Sequence, residues 1–197
     1  EELDFIGIVK SASSEFGIDE NFILAMIKAE SNFKVDAESI AGAIGLMQIM
    51  PDTYEKELKD ELGIQISAQN ALTLPSVNIR CGTYYFAKLI NHYGDVTAAL
   101  AAYILEPTPG DTVIDMCAAP GGKSLFLAEL MKNIGKIYSF DIYEHKINLI
   151  NENKTKYNAK IIQASLNDAT VYNEKYFNVA DKILCDVPCA GLGVIRR

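Results

Sequence analysis

No stretch of about 18 consecutive apolar residues occurs in this chain of 197 residues, and the opening Glu1-Glu2-Leu3-Asp4 has neither a basic segment nor an apolar one behind it. Neither a membrane-spanning helix nor a secretory leader is expected, although a removed leader would leave the same appearance. The four cysteines, Cys81, Cys117, Cys185 and Cys189, contain no Cys-x-x-Cys, and His92 and His145 stand far apart, which argues against a zinc site. Reduced thiols in a cytosolic setting are the preferred reading, with a disulfide among the last three cysteines as the alternative. An excess of positive charge is also missing. There are 7 basic against 15 acidic residues in 1–103, and 11 against 11 in 104–197. Neither part is a basic footprint for a polyanion, so an RNA-binding role needs positive surface that the chain does not display. Internal repeats and low-complexity tracts are absent as well.

What is present is ordinary globular material, 49% hydrophobic with 13 Gly and 6 Pro, long enough for one or two small cores. From residue 1 to about 103 the apolar spacing is helical, and helices are predicted over 3–15, 20–33, 53–62, 76–93 and 96–103. Asp52 and Glu55 read as a capping box after Pro51, Gly63 sits at a C-terminal cap, and Gly94 closes the longest helix before Asp95 caps the next. At Ile104-Leu105-Glu106-Pro107-Thr108-Pro109-Gly110 the helix must end. Short apolar runs at 111–117, 136–141, 160–164 and 181–186 then suit strands buried on both faces, with helices at 123–133 and 144–157 between the first three. That alternation implies a parallel sheet. The expected organisation is multidomain: an all-α part over 1–103, then an α/β part over 104–197.

The first candidate group lies on the helix 20–33. Glu30 shares a stripe with Ile23 and Ile27, beside Phe22, Met26, Ala29 and Phe33, so its carboxyl projects from or beside an apolar face. Desolvation there would raise its pKa, as a general acid at neutral pH requires. From position alone, a solvated or salt-bridged helix residue is the simpler reading. The context reverses that preference: Glu30-Ser31-Asn32-Phe33 followed by Ser39-Ile40-Ala41-Gly42-Ala43-Ile44-Gly45-Leu46-Met47-Gln48-Ile49-Met50-Pro51 resembles the signature of soluble lytic transglycosylases, which have a lysozyme-like fold. Asn78 to Tyr85 and Ala98 to Tyr103 resemble that family's later helices, in the right order.

Most glycosidases use two carboxylates, and no clear partner for Glu30 is visible. The resemblance accounts for this, since it implies one glutamate acting as acid and then base while the sugar's own 6-hydroxyl attacks, leaving a 1,6-anhydromuramyl end on a peptidoglycan strand. It also implies that Ser39, Met47, Gln48 and Tyr103 line the sugar groove, with Gly42 and Gly45 admitting the ligand to the backbone. On the residues alone, the glycines equally serve a turn and Met47 the core. The family continues after its tyrosine with Asn-Ala-Gly; here Ile104-Leu105-Glu106-Pro107 follows, so one groove wall is expected to be missing.

The second group is Asp115-Met116-Cys117-Ala118-Ala119-Pro120-Gly121-Gly122-Lys123, which follows the first strand and opens the first helix of the α/β part. Small residues there let a ligand approach the backbone, and amides at a helix N-terminus favour an anion. Asp141 ends the second strand, where a carboxylate can accept both ribose hydroxyls; Asp168 follows the third strand and Asp186 the fourth. Singly, each aspartate is equally a turn or helix cap. Together with Cys117, Ala118, Ala119, Pro120, Gly121, Gly122 and Lys123 they resemble the S-adenosylmethionine site of ribosomal RNA cytosine-C5 methyltransferases, a Rossmann-like class. Asp186-Val187-Pro188-Cys189-Ala190-Gly191-Leu192-Gly193 matches that family's later Asp-x-Pro-Cys-Ser-Gly signature apart from Ala190. NAD is the runner-up ligand, disfavoured because no Gly-x-Gly-x-x-Gly is present.

By this resemblance Cys189 is a catalytic cysteine that assists product release, while the nucleophile comes from a later motif not seen before Arg197; a small residue in a tight loop is the plain alternative for Cys189. Cys117 and Cys185 read as strand-flanking core residues. Ribosomal RNA is the partner the second resemblance implies and peptidoglycan the partner of the first, so the two expectations point to opposite sides of a membrane. No Gly, Ser or Pro-rich linker of usual length separates the parts. A fusion of two truncated domains is expected.

Overall fold

The computed structural model describes residues 5–187 and divides into two compact units, 1–92 and 93–197. In the first, α1 (Phe5–Phe16) turns Val9 and Ala12 inward, and α2 (Glu20–Ser31) turns Ile23, Met26 and Ile27 inward. Asp19 starts α2 by accepting the Asn21 and Phe22 amides at 2.9 and 3.2 Å, and Asn32 ends it in the left-handed region at φ 51°. Residues 37–50 then form a compact turn closed by single bridges between Glu38 and Ile44 and between Ile44 and Ile49. A single turn, α3 (Pro51–Thr53), runs into a π-helical turn, Tyr54–Leu58, before α4 (Ala68–Ala71) and α5 (Pro75–Tyr93). Leu46, Met47, Ile49, Tyr54, Leu58, Leu72 and Ile79 are fully buried, and Phe22 stacks on Phe86 with centroids 5.1 Å apart.

The capping box expected at Asp52 and Glu55 does not form. Pro51 takes the first helical position, where no N–H needs a cap, so Asp52 lies inside the turn and pairs with Lys56 at 2.6 Å. Glu55 instead accepts the Ala68 amide at 2.9 Å, tying the π turn to α4. Gly63, at φ 67°, does occupy the expected helix end.

The second unit begins with α6 (Val96–Leu105), which Asp95 caps through the Ala98 amide at 2.6 Å and which packs on α7 and β4. Four parallel strands follow, β1 (Thr112–Asp115), β2 (Lys136–Asp141), β3 (Ile162–Leu166) and β4 (Lys182–Leu184), in the order β3-β2-β1-β4. Helix α7 (Gly122–Leu130) connects β1 to β2 and α8 (Glu144–Lys156) connects β2 to β3; Leu127, Met131, Ile147 and Ile150 pack over Val113, Ile137 and Ile162. Burial on both faces holds for β1 and β2 but not for the outer strands, where Leu166 and Ile183 are 56% and 58% exposed. The reason is position: among the described residues β3 and β4 each have a neighbour on one side only. Because the chain steps from β1 through β2 to β3 and then returns to the other side of β1, β1 and β4 flank a topological switch point, where open α/β sheets place ligands.

Candidate functional site

At the carboxyl end of β1 the chain leaves the sheet through a tightly pinned turn. The Met116 amide donates to the Leu184 carbonyl at 2.9 Å and the Ala118 amide to that of Phe140 at 2.8 Å, so β4 and β2 hold the turn from both sides. Asn153 of α8 donates to the Pro120 carbonyl at 2.9 Å. Gly121, at φ 101°, then opens α7, a conformation that a side chain would strain.

Above this turn lies a cavity of about 530 Å³. The structure brings Cys117, Ala119, Lys123, Asp141, Asp168 and Asp186 together in its wall. Ala118 and Gly121 are buried beneath the turn instead, and Pro120 and Gly122 face a separate hollow between α7 and α8 that lacks the acidic cluster. Asp141 is 7% exposed; its Oδ1 accepts the Tyr143 amide at 3.2 Å and its Oδ2 lies 3.5 Å from Lys146 Nζ. Asp186 pairs with Lys123 at 2.7 Å. Asp168 is exposed and accepts both the amide and the hydroxyl of Thr170, which hold its carboxyl below the usual range. Three carboxylates thus face two ammonium groups.

Cys117 and Cys185 are not core residues: Cys117 is half-buried in the cavity wall and Cys185 is exposed, because both lie beyond the strand ends. Neither is in a disulfide, and burial, then the charges of Cys185 and of nearby carboxylates, push the Cys117 thiol up. Cys189 lies outside the described residues. Ile142, Tyr143, Lys146 and Thr170 also line the cavity and were missed from sequence. A usable signal did exist, since Ile142 and Tyr143 are large apolar residues directly after a strand-ending acid, and both are about half exposed. Asp115 heads the second group at the end of β1 but was not among its expected ligand contacts. It is 1% exposed, with Oδ2 accepting the Ser124 hydroxyl at 2.7 Å and Oδ1 without a hydrogen-bond partner among the described residues, and desolvation raises its pKa against the opposing pull of Ser124, the Cys117 amide and Lys123.

In the first unit Glu30 occupies the last turn of α2, half-buried and with no hydrogen bond or ion pair among the described residues. Desolvation pushes its carboxyl up. Ser39 and Gln48 shape the turn that follows: Ser39 Oγ accepts the Ala43 amide at 2.9 Å, and Gln48 Nε2 donates to the carbonyls of Gly45 and Ala37 at 2.8 and 3.2 Å. Met47 is fully buried, its sulfur 3.9 Å from the Thr83 hydroxyl. Tyr103 is 4% exposed on α6 in the second unit.

No helix among the described residues is long and apolar enough to cross a membrane, and none of their His, Cys, Asp and Glu side chains cluster so as to hold a metal ion. The architecture is that of a two-part protein, a lytic-transglycosylase-like helical domain followed by a parallel sheet of the methyltransferase fold. Over residues 7–105 the chain belongs to the Transglycosylase SLT domain family, and residues 102–197 match the 16S rRNA methyltransferase RsmB/F family, as a fusion of the two would. A probable ribosomal RNA small subunit methyltransferase B of Bacillus subtilis is 41% identical over 149 residues, 72% of this chain and 33% of that protein. The membrane-bound lytic murein transglycosylase C of Salmonella arizonae is 41% identical over 90 residues, 45% of this chain and 25% of that protein. A solved 70-kDa soluble lytic transglycosylase, in complex with bulgecin A, is 30% identical with a TM-score of 0.48, covering 52% of this chain and 17% of that one. The chain therefore spans a third or less of each of these proteins.

Proposed function

We propose that the second part binds S-adenosylmethionine in the cavity above the Cys117–Lys123 turn. The observation that carries this reading is the convergence of Cys117, Ala119, Lys123, Asp141, Asp168 and Asp186 on one cavity at the switch point. The chemistry of the ligand fits the donor set. Its carboxylate suits the free amides at the start of α7 and the Lys123 ammonium, its ribose diol suits the buried Asp141 carboxylate, and its sulfonium suits a wall with more carboxylates than ammonium groups. When bound, it supplies an activated methyl group. Methyl transfer to cytosine C5 would further need a thiolate to attack C6. Burial pushes the Cys117 thiol up, away from that role, and ribosomal RNA methylation is not assigned to this chain. Calorimetry with S-adenosylmethionine tests the reading: the parent chain binds and Asp141→Ala loses at least tenfold in affinity. Equal binding by both would refute the assignment.

A second reading is favoured by Glu30, a half-buried carboxyl with raised proton affinity and no partner among the described residues. We infer that the first part, over 1–103, cleaves peptidoglycan glycan strands with Glu30 as acid and then base, and that 104–197 is the methyltransferase-like part. Glu30 protonates the leaving glycosidic oxygen, then accepts the proton of the sugar 6-hydroxyl as that oxygen closes the anhydro ring. Ser39 and Gln48 belong to the turn over residues 37–50 that follows α2, and Met47 is fully buried in it. Mass spectrometry of peptidoglycan digests provides the test: anhydromuropeptides appear with the parent and disappear with Glu30→Gln. Folded parent protein that releases none leaves this part a helical scaffold.

A further inference from the structure

We infer that Asp115 is a positioning residue that holds the Cys117–Lys123 turn in its ligand-ready shape through the Ser124 hydroxyl. The turn has three backbone anchors, Met116 to β4, Ala118 to β2 and Pro120 to Asn153 of α8. None of these fixes the first turn of α7, from which Lys123 reaches the cavity wall. Its side chains are tied at two places, Lys123 to Asp186 at the cavity wall and Ser124 in the core. Ser124 Oγ lies 2.7 Å from Asp115 Oδ2 and 2.7 Å from Ser139 Oγ, so the end of β1, the middle of β2 and the start of α7 meet at one buried hydroxyl. Ser124 and Ser139 are both fully buried, and Lys123, which pairs with Asp186 in the cavity wall, is the residue next to Ser124.

This arrangement is poor for stability alone. A carboxyl group taken out of water with one oxygen unpartnered is costly, and an apolar residue of similar shape at the end of a buried strand would cost less. If Asp115 were removed, Ser124 and Ser139 would still satisfy each other. The role left for Asp115 is to fix which way Ser124 points and, with it, the rotation of the first turn of α7. Stability and ligand binding should therefore respond in opposite directions to its replacement.

The test compares the full chain with Asp115→Asn, Asp115→Val and Ser124→Ala by three measurements: amide hydrogen exchange over residues 117–124, the melting midpoint, and the calorimetric Kd for S-adenosylmethionine. Asp115→Asn keeps an acceptor oxygen for Ser124 and should stay within threefold of the parent in exchange and Kd. Asp115→Val removes the acceptor; exchange over the turn should rise and Kd weaken, each at least tenfold, with a melting midpoint equal to or above the parent's. Ser124→Ala, which deletes a single atom, should loosen the same amides and decides the matter if Asp115→Val does not fold. Parental exchange in both Asp115→Val and Ser124→Ala would overturn the inference, as would an Asp115→Asn chain as loose as Asp115→Val. The Kd arm rests on the proposed cofactor. A parent that binds no S-adenosylmethionine refutes that reading, while the exchange arm still decides the role of Asp115.

Discussion

Replacing Asn78 tests how the first unit holds the turn over residues 37–50. Asn78 lies in α5, is 1% exposed, and makes three hydrogen bonds: Oδ1 accepts the Met47 amide at 2.7 Å, and Nδ2 donates to the Ile44 and Leu72 carbonyls, each at 2.9 Å. Asn78→Leu keeps most of the volume and removes all three. The Ile44 carbonyl retains the Ile49 amide at 3.1 Å, so the main losses fall on Met47 N–H and the Leu72 carbonyl. At about 1–3 kcal/mol for each buried group deprived of its partner, the change costs about 4 kcal/mol, a large share of the roughly 5–15 kcal/mol that stabilises a domain. Urea unfolding followed by the helical circular dichroism signal measures it. Asn78→Asp adds a sign test. The aspartate could still accept from Met47 but would turn a carboxylate toward two carbonyl oxygens, so its pKa would rise above its unfolded value. Native protein would then bind the proton more tightly than unfolded chain, and the variant should regain stability as the pH falls from 7 toward 5. A loss for Asn78→Leu below about 1 kcal/mol, or an Asn78→Asp deficit unchanged by pH, would refute the reasoning.

Two glycines of the same turn should behave differently although both have positive φ. A Cβ on Gly45, at φ 82°, would overlap the Leu72 carbonyl oxygen and the Asn78 side chain, so Gly45→Ala should unfold the first unit; Gly42, at φ 89°, meets no atom within 4 Å, and Gly42→Ala should cost only the roughly 1–2 kcal/mol of left-handed backbone strain. Denaturant midpoints of the two variants should therefore separate widely, and equal midpoints would contradict the assigned packing. Glu30 carries a pH signature of its own: its folded pKa is raised by burial, so its contribution to stability falls as pH rises from the ordinary carboxylate range through the raised value. Glu30→Gln should flatten that part of the stability curve, and a curve with unchanged slope would show that Glu30 is as well solvated folded as unfolded.

Much of this protein is written in local chemistry that the sequence determines by itself. The helices expected over 3–15, 20–33 and 76–93, the Gly94 stop with Asp95 as the next cap, the break within 104–110, and the small-residue turn after Asp115 depend on contacts a few residues apart, and the folded chain shows each of them, the helices at 5–16, 20–31 and 75–93. The cavity-lining aspartates were legible for the same reason, since strand ends mark the carboxyl edge of a parallel sheet wherever the strands pair.

Tertiary structure decided the rest. Asn78 looks like an ordinary helix residue until chain 31 and 34 residues earlier is folded against it. Asp115, Ser124 and Ser139 form a buried network only because β1, β2 and α7 converge, and Lys146 reaches Asp141 only because α8 starts at the rim of the cavity. Helix α6 carries a string that resembles the first family yet packs on α7 and β4, because its alanine-rich surface buries against whichever partners the fold presents. Periodicity and turn residues report the free energy of neighbours along the chain. Which polar groups are buried, and which partners then satisfy them, depends on residues far away in sequence, and only the assembled core brings those together.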